Sequence, residues 1–289
     1  MSPLSMLAWT TECARLKTLL LLLLPGVGEI PLLAQPGDKS QDRERSVRME
    51  QMWELVGAVS VYAITEEGRV PVQLAQTPLI RFSDMSRGRL DGTLWVWGRT
   101  GRPAAIMELY TQVDGAGNWC HVIHSLSTGQ VTAEIGGGLP WSPRRPGLEL
   151  KPLPGSPAPG SEKAARLRQA KELARRFSAH QFWDPNNQRS ELRLLPQPVH
   201  QYEDPAAGLL DGTVFTFVHG TDTEIILLIE LARRDAAPPE WHYGLVRLGH
   251  AEFHVNLDDR EVWQQKRIAA TAPTEPYHLF FRRLSNRSD

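Results

Sequence analysis

The sequence has few cysteines and no excess of either charge, and each shortage excludes a class of protein. Cys13 and Cys120 are the two cysteines in 289 residues, too few for a disulfide-rich secreted scaffold. Lysine plus arginine number 32 and aspartate plus glutamate number 33, so the formal net charge is -1. A balance this even provides no global attraction to nucleic acid or to an anionic membrane. We therefore expect no nucleic-acid partner.

Recognised catalytic motifs are also missing from the sequence. The chain contains no HExxH motif, no CxxC pair, no GxSxG elbow and no phosphate-binding loop. Hydrophobic residues make up 41% of the chain and charged residues 22%, which is normal for a globular protein and excludes a disordered one. The sequence thus predicts a folded protein and contains no motif that indicates its activity.

Long apolar runs are absent except for one short run of leucines near the N-terminus. Arg15 and Lys17 precede this run at residues 19–24, and Ala34 follows it before a polar segment. This order is typical of a secretory signal peptide, and the run is too short to span a bilayer as a helix. We expect residues 1–34 to be a signal peptide and the mature protein to be exported, periplasmic or extracellular, with no membrane span. The alternative is an N-terminal membrane anchor.

Two stretches of the chain are similar to each other. Residues 78–93 and 198–213 are identical at seven of sixteen positions with a constant offset of 120. Further along the chain the offset becomes 122, which aligns Trp119 with Trp241. We place the two-residue insertion before Glu108, so that Glu108 aligns with Glu230. Self-similarity of this kind is typical of a tandem duplication.

The same pattern of elements is predicted in both copies. Strand-like runs rich in β-branched and aromatic residues recur about every ten residues with short Gly, Asp and Asn connections, which indicates antiparallel hairpins. A helix precedes them, over residues 47–58 in the first copy and 162–182 in the second. We therefore predict an α+β fold that duplicates one module, made of a helix and an antiparallel meander of about five strands.

The predicted domain boundaries follow from this pattern. The two modules occupy residues 46–141 and 161–285. Residues 35–45 have no apolar periodicity and are predicted to be a flexible leader. Residues 142–160 contain six prolines and are predicted to be a stiff, extended linker.

The dipeptide Asp-Gly occurs in both copies, as Asp91-Gly92 and Asp211-Gly212. Asp-Gly before a strand is typical of a turn whose glycine needs a positive φ. We therefore predict that both dipeptides form the same structural turn, in preference to a catalytic role for the two carboxylates.

Two acids, Glu108 and Glu230, lie within apolar runs and are the candidate catalytic residues. A carboxylate in such a strand is costly to bury unless it is paired. By the two-residue period of a strand, Ile106, Glu108 and Tyr110 share one face. If that face lined a cavity, Glu108 could act as a base with a raised pKa. The alternative that we favour is a structural ion pair with an arginine.

Cys120, His121 and His124 lie close enough in sequence to be considered as metal ligands. In a strand, Cys120 and His124 face one way and His121 the other, and the second copy does not repeat the set. We therefore expect no metal site and no cofactor. Trp95, Trp119 and Trp241 are candidate ligand-binding residues, although core packing accounts for large aromatic side chains equally well.

Three functional hypotheses remain open at this stage. The leading one is an exported, non-enzymatic binding or structural protein, with an extracytoplasmic protein as a possible partner. The second is a periplasmic carrier of an apolar ligand held between sheet and helix, because a helix followed by a meander resembles in topology the half-barrel of periplasmic lipoprotein carriers. It requires a cavity lined by Trp95, Ile106 and Leu228. The third is a hydrolase that uses a strand-borne glutamate beside a histidine or second carboxylate.

Overall fold

A computed structural model describes residues 39–113, 117–136, 138–183, 186–233 and 237–283. The predicted signal peptide, residues 1–34, lies outside these ranges. The chain divides into the units Met1–Lys39 and Ser40–Asp289, and the described residues from Ser40 onward belong to the second unit. Within the described ranges, no helix is long and apolar enough to cross a membrane.

The first half of the fold, residues 39–141, begins with a helix and continues with antiparallel strands. Its elements are α1 (Lys39–Gly57), β1 (Val59–Thr65), β2 (Gly68–Val72), β3 (Ile80–Asp84), β4 (Arg89–Trp97), β5 (Ala105–Gln112), β6 (Asn118–Ser125), β7 (Val131–Ile135) and β8 (Leu139–Trp141). A short 3₁₀ helix, Met85–Arg87, joins β3 to β4.

The second half, residues 163–265, has the same order of elements as the first. A connecting segment, residues 142–162, carries β9 (Lys151–Pro152). The second half then comprises α2 (Lys163–Ala174), β10 (Phe177–Trp183), β11 (Gln188–Leu194), β12 (His200–Asp204), β13 (Leu209–His219), β14 (Asp222–Ala232), β15 (Glu240–Arg247), β16 (Glu252–Leu257) and β17 (Arg260–Gln265). The 3₁₀ helix Pro205–Ala207 joins β12 to β13, and β18 (Tyr277–Arg283) lies in a C-terminal segment, residues 266–283.

The strand pairings confirm antiparallel sheets but shorten the predicted meander. Strands β3 to β6 pair in order, as do β12 to β15. The next strand of each half leaves the meander, because β7 pairs with β1 and β16 pairs with β10. In the first half the other strands form a separate sheet in the order β2-β1-β7-β8. In the second half they join the meander, because β11 pairs with β13, and one nine-stranded sheet results. The spacing of strand-like runs does not reveal these pairings.

The strands of the meanders are buried on both faces. In β4, Trp95 and Trp97 face an outer core that includes residues of α1, β1 and β7. Leu94 and Val96 face a central core, which also contains Val214 and other residues of the second half. The two halves therefore pack against each other through the faces of their meanders, as in a sandwich of two sheets.

Each half completes its sheet with a strand from the segment that follows the other half. Strand β9 of the connecting segment pairs with β15 of the second half. Strand β18 of the C-terminal segment pairs with β6 of the first half along seven residue pairs. The connecting segment, predicted as a plain linker, thus adds a short edge strand, and the exchange ties the two halves together.

The helices differ from the predicted boundaries. Helix α1 begins at Lys39, so residues 39–45, predicted to be part of a flexible leader, are helical. Helix α2 ends at Ala174, whereas the helical spacing had extended it to residue 182. Residues Phe177–Trp183 form β10 and pair with strands on both sides. Pairing along both edges outweighs the local helical pattern.

The predicted Asp-Gly turns are wrong, because both dipeptides lie inside strands, in β4 and in β13. Positive φ angles occur instead at Gly88 (67°) and Gly208 (77°), which end the two short 3₁₀ helices. Asp91 accepts hydrogen bonds from Arg48 of α1 and from Arg81 of β3. Asp91 therefore joins helix to sheet, as Asp211 does with Arg166 of α2.

The glycine of each dipeptide is required by an aromatic ring that covers it. A Cβ atom at Gly92 would lie 2.5 Å from Cζ of Phe82, and one at Gly212 would lie 2.1 Å from the ring of Tyr202. Both distances are far below a carbon–carbon contact. Aromatic cover of a strand glycine protects exposed backbone and fixes the register of the neighbouring strands.

Gly92→Ala is expected to destabilise the fold because the new methyl group must displace the Phe82 ring. We expect the free energy of unfolding to fall by about 1–3 kcal/mol in urea denaturation, the usual range for overpacking. Gly57→Ala is the matched control, because nothing lies within 4 Å of a Cβ there, and its stability should match or exceed that of the wild type. Equal stability of Gly92→Ala and the wild type would contradict the ring contact.

Candidate functional site

Glu230, one of the two candidate catalytic acids, is fully buried and its carboxylate is fully engaged. Arg102 of the first half donates to both of its oxygens, from Nε at 2.6 Å and from Nη2 at 2.7 Å. The hydroxyl of Tyr202 donates to it as well, at 2.6 Å. The acid forms a bidentate ion pair that links the two halves, which is a structural arrangement.

Glu108, the other candidate, belongs to a group of three buried acids and two partly buried arginines that we call the junction cluster: Arg87, Arg89, Glu108, Asp222 and Glu224. Arg89 contacts Glu108 at 3.1 Å and also contacts Asp222. Arg87 contacts Asp222 at 2.8 Å and also contacts Glu224. The arginines come from the first half and two of the acids from the second, so the cluster lies where the halves meet.

The two candidate acids are not equivalent in the fold. Gly212 pairs with Glu230 between β13 and β14. Gly92, at the same ring-covered position of β4, pairs with Tyr110. Tyr110 therefore occupies the place of Glu230, and the alignment of Glu108 with Glu230 is wrong. The two extra residues of the second half lie later, in the connection between β14 and β15, which corresponds to that between β5 and β6.

The junction cluster contains three carboxyl groups for two guanidinium groups. Burial, and then the charge of Asp222, raise the pKa of Glu224 to about 7 against the opposing effect of Arg87. Burial and the same neighbouring charge hold the pKa of Glu108 well above its usual range, although Arg89 opposes this. Oε1 of Glu108 is buried without a hydrogen-bond partner. The cluster therefore retains a proton near neutral pH.

A cleft of about 330 Å³ opens beside the junction cluster, and we call it the junction cleft. Arg87, Arg89 and Tyr110 line it from the first half, and Trp183, Glu224 and His250 line it from the second. Its volume is within the range of small-molecule sites, and its walls offer hydrogen-bond donors, acceptors and an aromatic surface.

Trp183 is the main aromatic wall of the junction cleft. The guanidinium carbon of Arg87 lies 5.9 Å from its ring centre and that of Arg267 lies 5.3 Å away. The ring of His250 packs edge-on against the Trp183 ring, with 4.5 Å between the ring centres. Burial and the nearby charge of Arg89 lower the pKa of His250 to about 4, so this imidazole is neutral. Among the described residues, no hydrogen bond joins it to a carboxylate of the junction cluster.

Comparison with family models, with curated proteins and with solved structures finds no match to this chain. The geometry of the junction cleft and its surroundings therefore carries the functional argument.

The three candidate ligand-binding tryptophans lie in cores and not in the junction cleft. Trp95 is fully buried, and its indole N–H donates to Oγ1 of Thr93 at 2.8 Å. Trp119 packs with Met52 and other residues between α1 and the sheet. Trp241 packs in the outer core of the second half.

The cavity required for an apolar carrier is not formed by the residues predicted to line it. Trp95 belongs to the outer core of the first half, whereas Ile106 and Leu228 belong to the central core. Because Trp95 and Ile106 point to opposite faces of one sheet, they cannot line a common cavity.

The candidate metal ligands are divided between two faces of β6. Cys120 is buried in the central core, and burial raises the pKa of its thiol to about 12. His121, on the other face, stacks on Phe280 of β18 with 4.7 Å between ring centres. Within the part of the chain that the structure describes, no group of three histidine, cysteine or acidic side chains could hold a metal ion.

Most residues of the junction cluster and junction cleft were not identified from the sequence, although two of the cluster acids carried a usable signal. Asp222 and Glu224 precede Ile226 and Leu228 at a spacing of two, so all four share the face that packs on the other half. Charged residues that continue a buried apolar face imply charged partners opposite. Trp183 carried no comparable signal, because it directly follows residues 162–182, which were predicted to be a helix, and was assigned to no strand.

Glu230→Gln is expected to destabilise the fold because Arg102 loses its buried anionic partner. Arg102 is about one quarter exposed, so we expect a loss of about 3 kcal/mol, at the lower end for breaking a buried pair. Glu134→Gln breaks the half-exposed pair with Arg69 and is the matched control, with an expected loss below about 1 kcal/mol. Chemical denaturation at neutral pH measures both. Equal losses in the two variants would contradict the structural role of Glu230.

The raised pKa of Glu224 predicts how stability depends on pH. Between pH 4.5 and about 7 the folded protein keeps a proton on Glu224 that the unfolded chain has released. The stability of the wild type relative to Glu224→Gln is therefore greatest below about pH 4.5 and falls by about 3 kcal/mol by about pH 8.

This difference between the two proteins is the quantity to measure, by urea denaturation across that range. Three histidines have lowered pKa values, which makes stability rise with pH: His121, His124 and His250. They do so in both proteins, so their effect cancels in the difference. A difference that stays constant from pH 4.5 to pH 8 would contradict the prediction.

Proposed function

We propose that the protein is an exported, non-enzymatic binding protein that holds a small polar ligand in the junction cleft. The observation that carries this proposal is a cleft whose charged and aromatic walls come from both halves. Such walls fit a ligand with several hydrogen-bonding groups better than an apolar one.

The contacts between the halves support a rigid frame for this cleft. Arg102 pairs with Glu230 on one side of the junction, and the junction cluster joins the halves on the other. The exchanged strands β9 and β18 add backbone hydrogen bonds. A frame held in this way keeps the cleft preorganised, which lowers the entropic cost of binding.

The same geometry favours binding over hydrolysis. Glu108 and Glu230 are committed to arginines, and Glu224, which does line the junction cleft, also contacts Arg87. His250 has a lowered pKa and, in the described part of the chain, no carboxylate partner to orient it. A general acid–base pair needs two groups within hydrogen-bond reach, so this arrangement lacks the usual basis for hydrolysis.

We further propose that the two halves arose by duplication of one α+β unit. The shared order of elements, the shared pairings and the offsets of 120 and 122 support this. At the offset of 120, Ala207 and Leu209 stand where the first half has Arg87 and Arg89. The duplicated fold would therefore contain one cleft of this kind, because the second half lacks the two arginines.

A ligand screen tests the proposed function. The protein should be recovered from outside the cytoplasm of its native host, where we expect its N-terminus near Gln35 because of the leucine run before Ala34. Sugars, amino acids and polyamines are then screened by thermal shift. A true ligand should raise the Tm of the wild type by several degrees at saturation.

Trp183→Ala should abolish that shift, whereas Trp53→Ala, which removes a half-exposed tryptophan outside the cleft, should retain it. A shift that survives Trp183→Ala would contradict the cleft as the site. Intact Met1 in cytoplasmic protein would contradict export, and turnover of a substrate lost in Glu224→Gln would favour the hydrolase.

A further inference from the structure

A second cavity, of about 250 Å³, lies between the halves and shares no lining residue with the junction cleft. Its walls include His124 of β6, Arg247 of β15, Trp263 of β17 and Tyr277 of β18. The cavity therefore depends on the exchanged C-terminal strand, which brings Tyr277 beside the second half.

Arg247 is a buried cation without an anionic partner. Its side chain donates three hydrogen bonds, all to carbonyl oxygens: to Gly249 at 2.8 Å, to Lys266 at 2.9 Å and to Ala251 at 2.6 Å. Within the described residues, no carboxylate lies within 4.0 Å of it. Burial lowers its pKa to about 10, although Tyr277 and the more distant Glu224 oppose this. Two of the five guanidinium N–H groups remain for another acceptor.

Tyr277 supplies a second unsatisfied group in the same cavity. The residue is about 5% exposed, and its hydroxyl has no hydrogen-bond partner in the described ranges. The guanidinium carbon of Arg247 lies 5.4 Å from its ring centre. A buried hydroxyl without a partner costs about 1–3 kcal/mol, so an acceptor that reached both groups would remove two penalties together.

The remaining walls add little charge and much apolar surface. His124 contacts the carbonyl oxygen of Ser125 through Nδ1, and burial lowers its pKa to about 4, so it is neutral. Glu275 is half exposed and is already paired with Arg145 at 3.1 Å. Gln265 and Thr271 add uncharged polar groups. The apolar part of the lining includes Leu245, Val246, Ile268, Ala270 and Pro276.

We propose that this cavity binds a small organic monocarboxylate. The carboxylate contacts the free N–H groups of Arg247 and the hydroxyl of Tyr277, and the body of the ligand packs on the apolar walls. A cavity of about 150 Å³ accommodates benzene, so this one takes an acid about the size of benzoate. The inference rests on a different cavity from the junction cleft and does not depend on the function proposed for that cleft.

Calorimetric titration of the full chain with sodium benzoate tests the proposal. Benzamide is the matched neutral probe, and inorganic phosphate is the anion without an apolar body. Benzoate should bind with a stoichiometry of one and at least about tenfold more tightly than either. Arg247→Met is unsuitable as a test variant, because it would release three carbonyl groups and endanger the fold.

Tyr277→Phe is the informative variant, because it removes only a hydroxyl that has no partner among the described residues. Its Tm should equal or exceed that of the wild type, while its affinity for benzoate falls about tenfold or more. Tyr243→Phe, which removes a tyrosine hydroxyl in the outer core of the second half, should bind benzoate as the wild type does. Equal binding of benzoate and benzamide, phosphate binding as tight as benzoate, unchanged affinity in Tyr277→Phe, or no saturable binding of benzoate would each overturn the proposal.

Discussion

Five charged side chains, three of them fully buried, constrain how the two halves of this protein meet. An isolated charge at such a place costs several kcal/mol, so each member of the junction cluster must find a partner. Asp222 and Glu224 find theirs, Arg87 and Arg89, across the junction. The surrounding central core, with Leu94, Val96 and Val214, is apolar and would tolerate small shifts of one sheet over the other. The ion pairs do not tolerate such shifts. Packing thus supplies the attraction between the halves, and the charges select one register.

The charges that meet across the junction are complementary in a way that fits two related surfaces. At the offset of 120, Arg102 of the first half corresponds to Asp222 of the second. Each contacts an opposite charge in the other half, Arg102 with Glu230 and Asp222 with Arg87 and Arg89. Two identical surfaces meeting about a twofold axis would bring like charges to equivalent places. Here the first half carries an arginine where the second half carries an aspartate. This difference in charge makes contact between the two unlike halves favourable.

Local patterns in the sequence predicted some features correctly and failed where distant partners decide the structure. Alternation of residue types identified antiparallel strands and placed Ile106, Glu108 and Tyr110 on one face, because that spacing is local. The same pattern extended the predicted helix through residues 177–182, where pairing on both edges imposes a strand. It also assigned Gly92 to a turn, because the ring that covers this glycine belongs to another strand. For the same reason the acids could be chosen from the sequence, but the residues they contact could not.

The exchange of edge strands has a consequence for synthesis of the chain. Strand β6 belongs to the first half, yet its outer edge is covered by β18, which lies near the end of the described chain. A nascent first half emerging from the ribosome therefore keeps an open strand edge until the second half has been translated. Open edges invite pairing with other chains, so this interval is when aggregation threatens most. A chain that terminates before β18 would consequently leave the edge of β6 unpaired, in the half of the molecule that is synthesised first.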